Sequence, residues 1–96
     1  MYPKDVTKVV QDTVLDGEVQ AKIVAEKLGK PYSTLLRELN PFDMRAKLGV
    51  ETLMEILKIT RDPRPLAFMA RQIGYRLIPD SKTEQVPGVF RSEVRF

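Results

Sequence analysis

Gly29 constrains this chain more than any other residue, because of what stands on either side of it. Residues 19–40 read VQAKIVAEKLGKPYSTLLRELN. Val19, Ile23 and Val24 mark one face of a first helix, and Ala25 and Leu28 complete that face. A chain leaving a helix after Leu28 needs a residue tolerant of left-handed backbone, and Gly29 supplies it without a Cβ clash. Pro31 suits the first position of a second helix, where its missing N–H would be unpaired anyway. Leu35 and Leu39, one helical turn apart, return an apolar face to the first helix. Pro41 ends the second helix, since the residue before a proline is pushed out of the α region. Residues 19–40 therefore read as a helix-turn-helix.

DNA-binding versions of this unit place a small residue where the helices cross, then a glycine, then a branched apolar residue. Ala25, Gly29 and Leu35 stand at those places, with Val24 and Leu28 as further core positions. The second helix then enters the major groove with its N-terminal residues toward base edges. Its outward residues are Lys30, Tyr32, Ser33, Leu36 and Arg37. Arg37 suits a guanine edge or a phosphate, and the hydroxyls of Ser33 and Tyr32 suit either bases or phosphates. Lys30, at the turn, reads as a phosphate contact, and Thr34 either serves the DNA backbone or packs. Leu36 is apolar at a base-reading position, which fits a thymine methyl or a subunit interface. The competing reading is an ordinary helical hairpin whose polar residues only decorate a surface.

Composition narrows the classes. Ninety-six residues make one domain with a modest core. Cysteine and histidine are both absent, which removes disulfides, thiolate metal sites and the commonest general base. No apolar run reaches the length of a membrane span, and the start, MYPKDVTKVV, has no signal-peptide core; a cytoplasmic protein with no membrane partner is expected. The net charge of +3 is unevenly placed. Within residues 20–37, Lys22, Lys27, Lys30 and Arg37 face only Glu26, a local excess that suits a polyanion without demanding one.

In chain order, residues 3–15 form a first helix whose stripe is Val6, Val9, Val10, Thr13 and Val14. Valines are mediocre helix formers, so this helix depends on packing, bracing the helix-turn-helix from behind. Asp16-Gly17 breaks it, and Asp16 is placed to cap the next helix with Glu18 in its first turn. Residues 40–49 form a connector in which Phe42, Met44 and Leu48 pin the segment to the core. A fourth helix, residues 50–60, carries the stripe Val50, Leu53, Met54 and Leu57, extended by Ile56 and Ile59. Asp62-Pro63 starts a fifth helix that runs to about Ile73 and exits at Gly74, with Leu66, Met69, Ala70 and Ile73 on one face and Phe68 on another. Two readings of this apolar excess stay open. It is either a self-association surface, with Leu53, Ile56 and Phe68 at the interface, or a larger monomer core. Residues 79–96 read as a flexible tail or an arm, with a short strand as a further option.

No Gly-rich phosphate loop, metal-ligand cluster or nucleophile–base pair is visible, and the carboxylates Asp5, Glu38 and Asp43 are scattered. An enzyme is not expected, nor is a cofactor.

The order of pieces resembles the phage CII-type regulatory proteins. An AxxLG helix end at residues 25–29, a helix ending in Leu39-Asn40-Pro41, a charged linker, an apolar helix over residues 49–60 and a helix over residues 62–75 ending in Ile-Gly-Tyr carry the likeness, which spans residues 6–78. It implies an all-α, lambda-repressor-like helix-turn-helix domain of about five helices, acting in temperate phage or prophage on the lysis–lysogeny choice. It implies Lys30, Tyr32, Ser33, Thr34 and Arg37 as DNA-facing residues and oligomerisation through the helices after the motif. Leu36 and the last seventeen or so residues depart from the pattern. The expected organisation is a DNA-binding domain over residues 1–78, with helix-turn-helix 19–40 and oligomerisation helices 50–60 and 63–73, followed by the tail. Expected partners are double-stranded DNA, further copies of the chain as a homodimer or homotetramer, and RNA polymerase where the bound protein activates. The alternative is a helical adaptor that binds a protein partner and no DNA.

Overall fold

A computed structural model of the chain describes residues 4–80. Among them are five helices and no strand: α1 Asp5–Asp16, α2 Ala21–Leu28, α3 Tyr32–Glu38, α4 Val50–Thr60 and α5 Arg64–Gln72. The fold is all-α, as expected. The tail expected at residues 79–96 falls outside the described residues from position 81 onward.

The core is small and is shared by four helices. Val10 and Val14 of α1, Val24 and Ala25 of α2, Leu35 and the capping Leu39 of α3, and Ile56 of α4 are buried together. Val6, Val19, Ala21, Leu28, Leu48, Leu53 and Ile59 pack around this cluster. On α1 the buried stripe is Thr7, Val10, Thr13 and Val14, with Val6 and Val9 half-buried at its margin. Thr13 tolerates the core because its Oγ1 donates to the Val9 carbonyl at 2.9 Å. A buried hydroxyl without a partner would instead cost about 1–3 kcal/mol.

Between α1 and α2 the expected capping is not found. Residues 17–20 run extended or bent, α2 begins at Ala21 with Gln20 at its N-cap, and no side chain caps it, so Asp16 and Glu18 lie outside that helix. Gly17 makes the exit from α1 possible. A Cβ there would collide with the Thr13 carbonyl oxygen.

The α2–α3 junction follows the sequence closely. Gly29 has φ 72°, and two backbone bonds close the end of α2: Gly29 N–H to the Glu26 carbonyl and Lys30 N–H to the Ala25 carbonyl, each at 3.0 Å. These are the two bonds of a Schellman motif. Pro31 stands at the N-cap of α3 rather than at its first residue. On α2 the inward face is Ala21, Val24, Ala25 and Leu28, and Ile23 is 38% exposed. Ile23 lies about 160° round the helix from Ala25 and about 140° from Leu28, so it cannot share that face.

The connector also departs from expectation. Phe42 is 73% exposed and Met44 is exposed, while Pro41 is buried and Leu48 packs on the core. Polar bonds hold this segment instead of aromatic anchoring. Asn40 Oδ1 accepts from Phe42 N–H, and Asp43 Oδ1 accepts from the N–H groups of Arg45 and Ala46 at 3.0 and 3.1 Å. Lys4 Nζ donates to the Asp43 and Ala46 carbonyls at 3.0 and 2.8 Å, tying the start of α1 to the connector.

On α4 the stripes are exchanged. Ile56 is fully buried, with Leu53 and Ile59 beside it on the core. Val50, 78% exposed, and Met54, 46% exposed, look outward with the half-buried Leu57. α4 packs on α2 and α1, so it shares with α1 the bracing of the α2–α3 pair. Its exit residue Arg61 is left-handed at φ 57°, with its N–H bonded to the Leu57 carbonyl at 2.8 Å.

α5 starts one residue later than expected, at Arg64 with Pro63 at its N-cap, while Asp62 Oδ1 accepts from Arg64 N–H at 3.0 Å just ahead of it. α5 packs on α1, buries Pro65, and leaves Leu66 and Ile73 exposed and Met69, Ala70 and Phe68 half-buried. Gly74 and Tyr75 close it with N–H bonds to Arg71 and Ala70 carbonyls at 3.1 and 2.8 Å.

Candidate nucleic-acid interface

α3 sets the geometry of the candidate site. Of the helices described, its backbone comes close to α2 alone, while Leu35 and Leu39 reach into the core shared with α1, α2 and α4. With a rotation of 100° per residue, the side opposite Leu35 and Leu39 is centred on Ser33 and Arg37. Both are exposed, and Thr34 and Leu36 flank them half-buried. Tyr32 stands at the first turn, 37% exposed, with Lys22 Nζ of α2 lying 5.7 Å from its ring centroid. That separation is within reach of a cation–π attraction, and it sets a second cation beside the α3 face.

Arg37 stands on the outward face with its side chain 62% exposed. Its Nε pairs with Asp43 Oδ2 at 3.3 Å. Asp43 is held by the Ala46 and Arg45 N–H groups and by Arg37, which keep its carboxyl below the ordinary aspartate value.

Lys30 is differently placed. Its Nζ pairs with Glu38 Oε2 at 3.2 Å, and both side chains are largely covered. The other carboxylate oxygen, Glu38 Oε1, is buried without a partner. Moving Lys30 to an outside phosphate would strip a covered carboxylate of its counter-charge, a costly exchange. Lys30 therefore ties the turn before α3 to the end of α3.

Of the residues singled out from sequence, Tyr32, Ser33, Thr34 and Arg37 come together on or beside one face, and Lys30 turns to Glu38. Leu53, Ile56 and Phe68, expected at an interface between copies, sit otherwise. Ile56 is fully buried in the core, Leu53 packs against it, and Phe68 is half-buried. The apolar residues turned outward on α4 and α5 include Val50, Met54 and Leu66; Met54, Leu57 and Leu66 line a shallow cleft with Lys58, Arg61, Asp62 and Pro63. Sequence reasoning missed Lys22, Glu38 and Asp43 as parts of the site. Their pairings span a turn or a connector, where helical spacing carries no information; the one local sign was an aspartate, Asp43, in a turn-rich connector, where such a side chain bonds its own backbone two residues on.

No group of three His, Cys, Asp or Glu able to hold a metal ion occurs among the described residues. No helix there is long and apolar enough to cross a membrane.

The geometry defines a small all-α domain organised on a helix, a left-handed glycine and a second helix whose polar face is turned outward. The chain belongs to the family of phage regulatory protein CII (CP76), whose model matches residues 4–91. That match covers the stretch on which the resemblance was read and continues into the last residues, where no family pattern had been recognised. No curated protein and no solved structure matched the chain.

Proposed function

We propose that this phage regulatory protein is a sequence-specific transcription regulator that binds operator DNA as a homo-oligomer, with α3 in the major groove, in the control of lysogeny. The observation that carries this reading is the isolation of α3. Its backbone lies against α2 alone among the helices described, Leu35 and Leu39 anchor it in the shared core, and its polar face has Ser33 and Arg37 at the centre. A helix held from one side only is free to enter a groove about 12 Å wide. Arg37 and Ser33 contact base edges, Tyr32, Thr34 and Lys22 contact the backbone, and Lys30 orients the helix through Glu38. Copies associate through the outer faces of α4 and α5, chiefly Val50, Met54, Leu57 and Leu66, because Ile56 and Leu53 are taken up in the core of each chain.

The test is selection of retained duplexes from a random-sequence pool across a salt series. A recurring motif with a steep salt dependence supports the reading. Arg37→Ala should weaken binding to that motif by about 1–3 kcal/mol and leave oligomer size unchanged. Absence of retention at low salt, with a protein partner recovered that Arg37→Ala does not release, would favour an adaptor.

A further inference from the structure

The Arg37–Asp43 pair joins α3 to the connector that follows it, and it engages Arg37 through Nε. Asp43 Oδ1 accepts from two backbone N–H groups, while Asp43 Oδ2 takes Arg37 Nε alone at 3.3 Å. The connector beneath Asp43 is itself held, since Lys4 Nζ binds the carbonyls of Asp43 and Ala46. An exposed Arg–Asp pair is ordinarily worth little, because both side chains must be ordered to form it. Here the carboxylate is already ordered by its backbone donors. The contact therefore falls on Arg37 as a restriction of direction. A guanidinium held at Nε points its two Nη groups forward as a planar fork, the arrangement that pairs with O6 and N7 of guanine.

We propose that Asp43 is a positioning residue that aims Arg37 and thereby commits this position of α3 to guanine. The inference rests on the DNA-binding reading above and deepens it by naming the base and the residue that selects it. Asp43 touches no base. It acts through Arg37, as an outer partner that orients the group making contact. The backbone donors and Arg37 together keep its carboxyl ionised, as an acceptor for Nε must be.

The experiment uses the full chain and the duplex recovered by selection, with each of its positions replaced in turn by the other base pairs. For the parent protein one position should prefer guanine by ~10- to 100-fold, the scale of a bidentate arginine contact. Asp43→Asn retains an oxygen for the Arg45 and Ala46 N–H groups but offers Arg37 an amide donor instead of an acceptor. It should reduce the preference at that one position several-fold and leave preferences elsewhere unchanged. Arg37→Lys keeps the charge without the fork and should abolish the same preference while leaving the salt dependence of binding nearly intact. The double variant should lose no more than Arg37→Lys alone.

An unchanged preference in Asp43→Asn overturns the inference. So does uniformly tighter binding to every duplex, which would make Asp43 a brake on Arg37, and so does an equal loss at all positions accompanied by a lower melting temperature. Should Asp43→Asn not fold, Arg37→Lys still decides, because a lysine that keeps the guanine preference overturns the aiming role. If the parent chain retains no duplex, the DNA reading itself falls; if it retains a motif and the variants behave as the parent, only this inference does.

Discussion

Gly29 and Arg61 occupy the same left-handed backbone region at φ 72° and 57°, each just after a helix, and the residue type at each has opposite consequences. Left-handed backbone costs a residue with a Cβ roughly 1–2 kcal/mol, and glycine escapes that cost. Gly29→Ala should therefore lower stability by about 1–2 kcal/mol, although a Cβ there meets nothing within 4 Å. Arg61→Gly should raise stability by about 0.5–1 kcal/mol, the relief of strain less the added freedom of the unfolded chain. Thermal melts of both variants check the pair, since 1 kcal/mol moves the midpoint of a domain this size by roughly 4–8 °C. A second residue-scale effect is titration. Asp43 has its carboxyl lowered from the ordinary 3.8 by the Ala46 and Arg45 N–H groups and then by Arg37. A group lowered on folding contributes stability that is present above its unfolded value and fades as pH falls through the folded value. Asp62, lowered by Arg64, acts in the same sense. The difference in melting temperature between the parent and Asp43→Asn should be constant from neutral pH to about pH 5 and shrink below pH 4. A difference that grows toward acid would contradict this account.

At the scale of elements, legibility divides according to whether local rules decide. α2, its glycine exit and the start of α3 were readable because capping, proline geometry and the Leu35–Leu39 spacing all point to one answer, and each acts within a turn or two. The α4 boundaries were readable for the same reason. Its inward face was not. Val50, Met54 and Leu57 form one apolar stripe and Leu53, Ile56 and Ile59 another, so hydrophobicity alone leaves the choice to the surfaces of α1 and α2, which are long-range information. Phe42 misled in the complementary way: a large aromatic in a short connector suggests an anchor, yet Asn40, Asp43 and Lys4 hold the segment by hydrogen bonds, and Pro41 takes the buried place. A pair of substitutions tests the assignment of faces on α4. Ile56→Ala should cost about 2–5 kcal/mol, the range for emptying a packed aliphatic site. Met54→Ala, on the outer stripe, should stay within about 0.5 kcal/mol, as surface changes do. Chemical denaturation of the two variants reads this directly, and comparable losses would mean that α4 is turned the other way.

For the whole molecule, the candidate site was legible as a helix and only partly as a set of side chains, because exposure can be counted from periodicity while pairing across a connector cannot. The same counting bears on assembly. α3 has seven residues and turns chiefly Ser33 and Arg37 outward. If each good base contact discriminates by about 1–3 kcal/mol, the two contacts of one α3 give about 2–6 kcal/mol, which reaches only the lower part of the roughly 4–10 kcal/mol that separates specific from non-specific binding. A second copy on a neighbouring half-site supplies the remainder, which is the physical case for the proposed association. The outer stripe of α4 with Leu66 is the apolar surface proposed for it. Val50→Glu combined with Met54→Lys removes that surface with little harm to the helix, since glutamate four residues before lysine is a favourable helical pair. Net charge is unchanged by the two substitutions together. The variant should sediment as a monomer, retain the helical content of the parent, and bind a single half-site as the parent does while losing the added affinity for two half-sites at the natural spacing. Sedimentation and binding to one- and two-half-site duplexes separate the possibilities. A variant that still assembles places the interface elsewhere on the chain, and a monomeric variant that keeps full affinity for the two-site duplex removes the energetic reason for assembly.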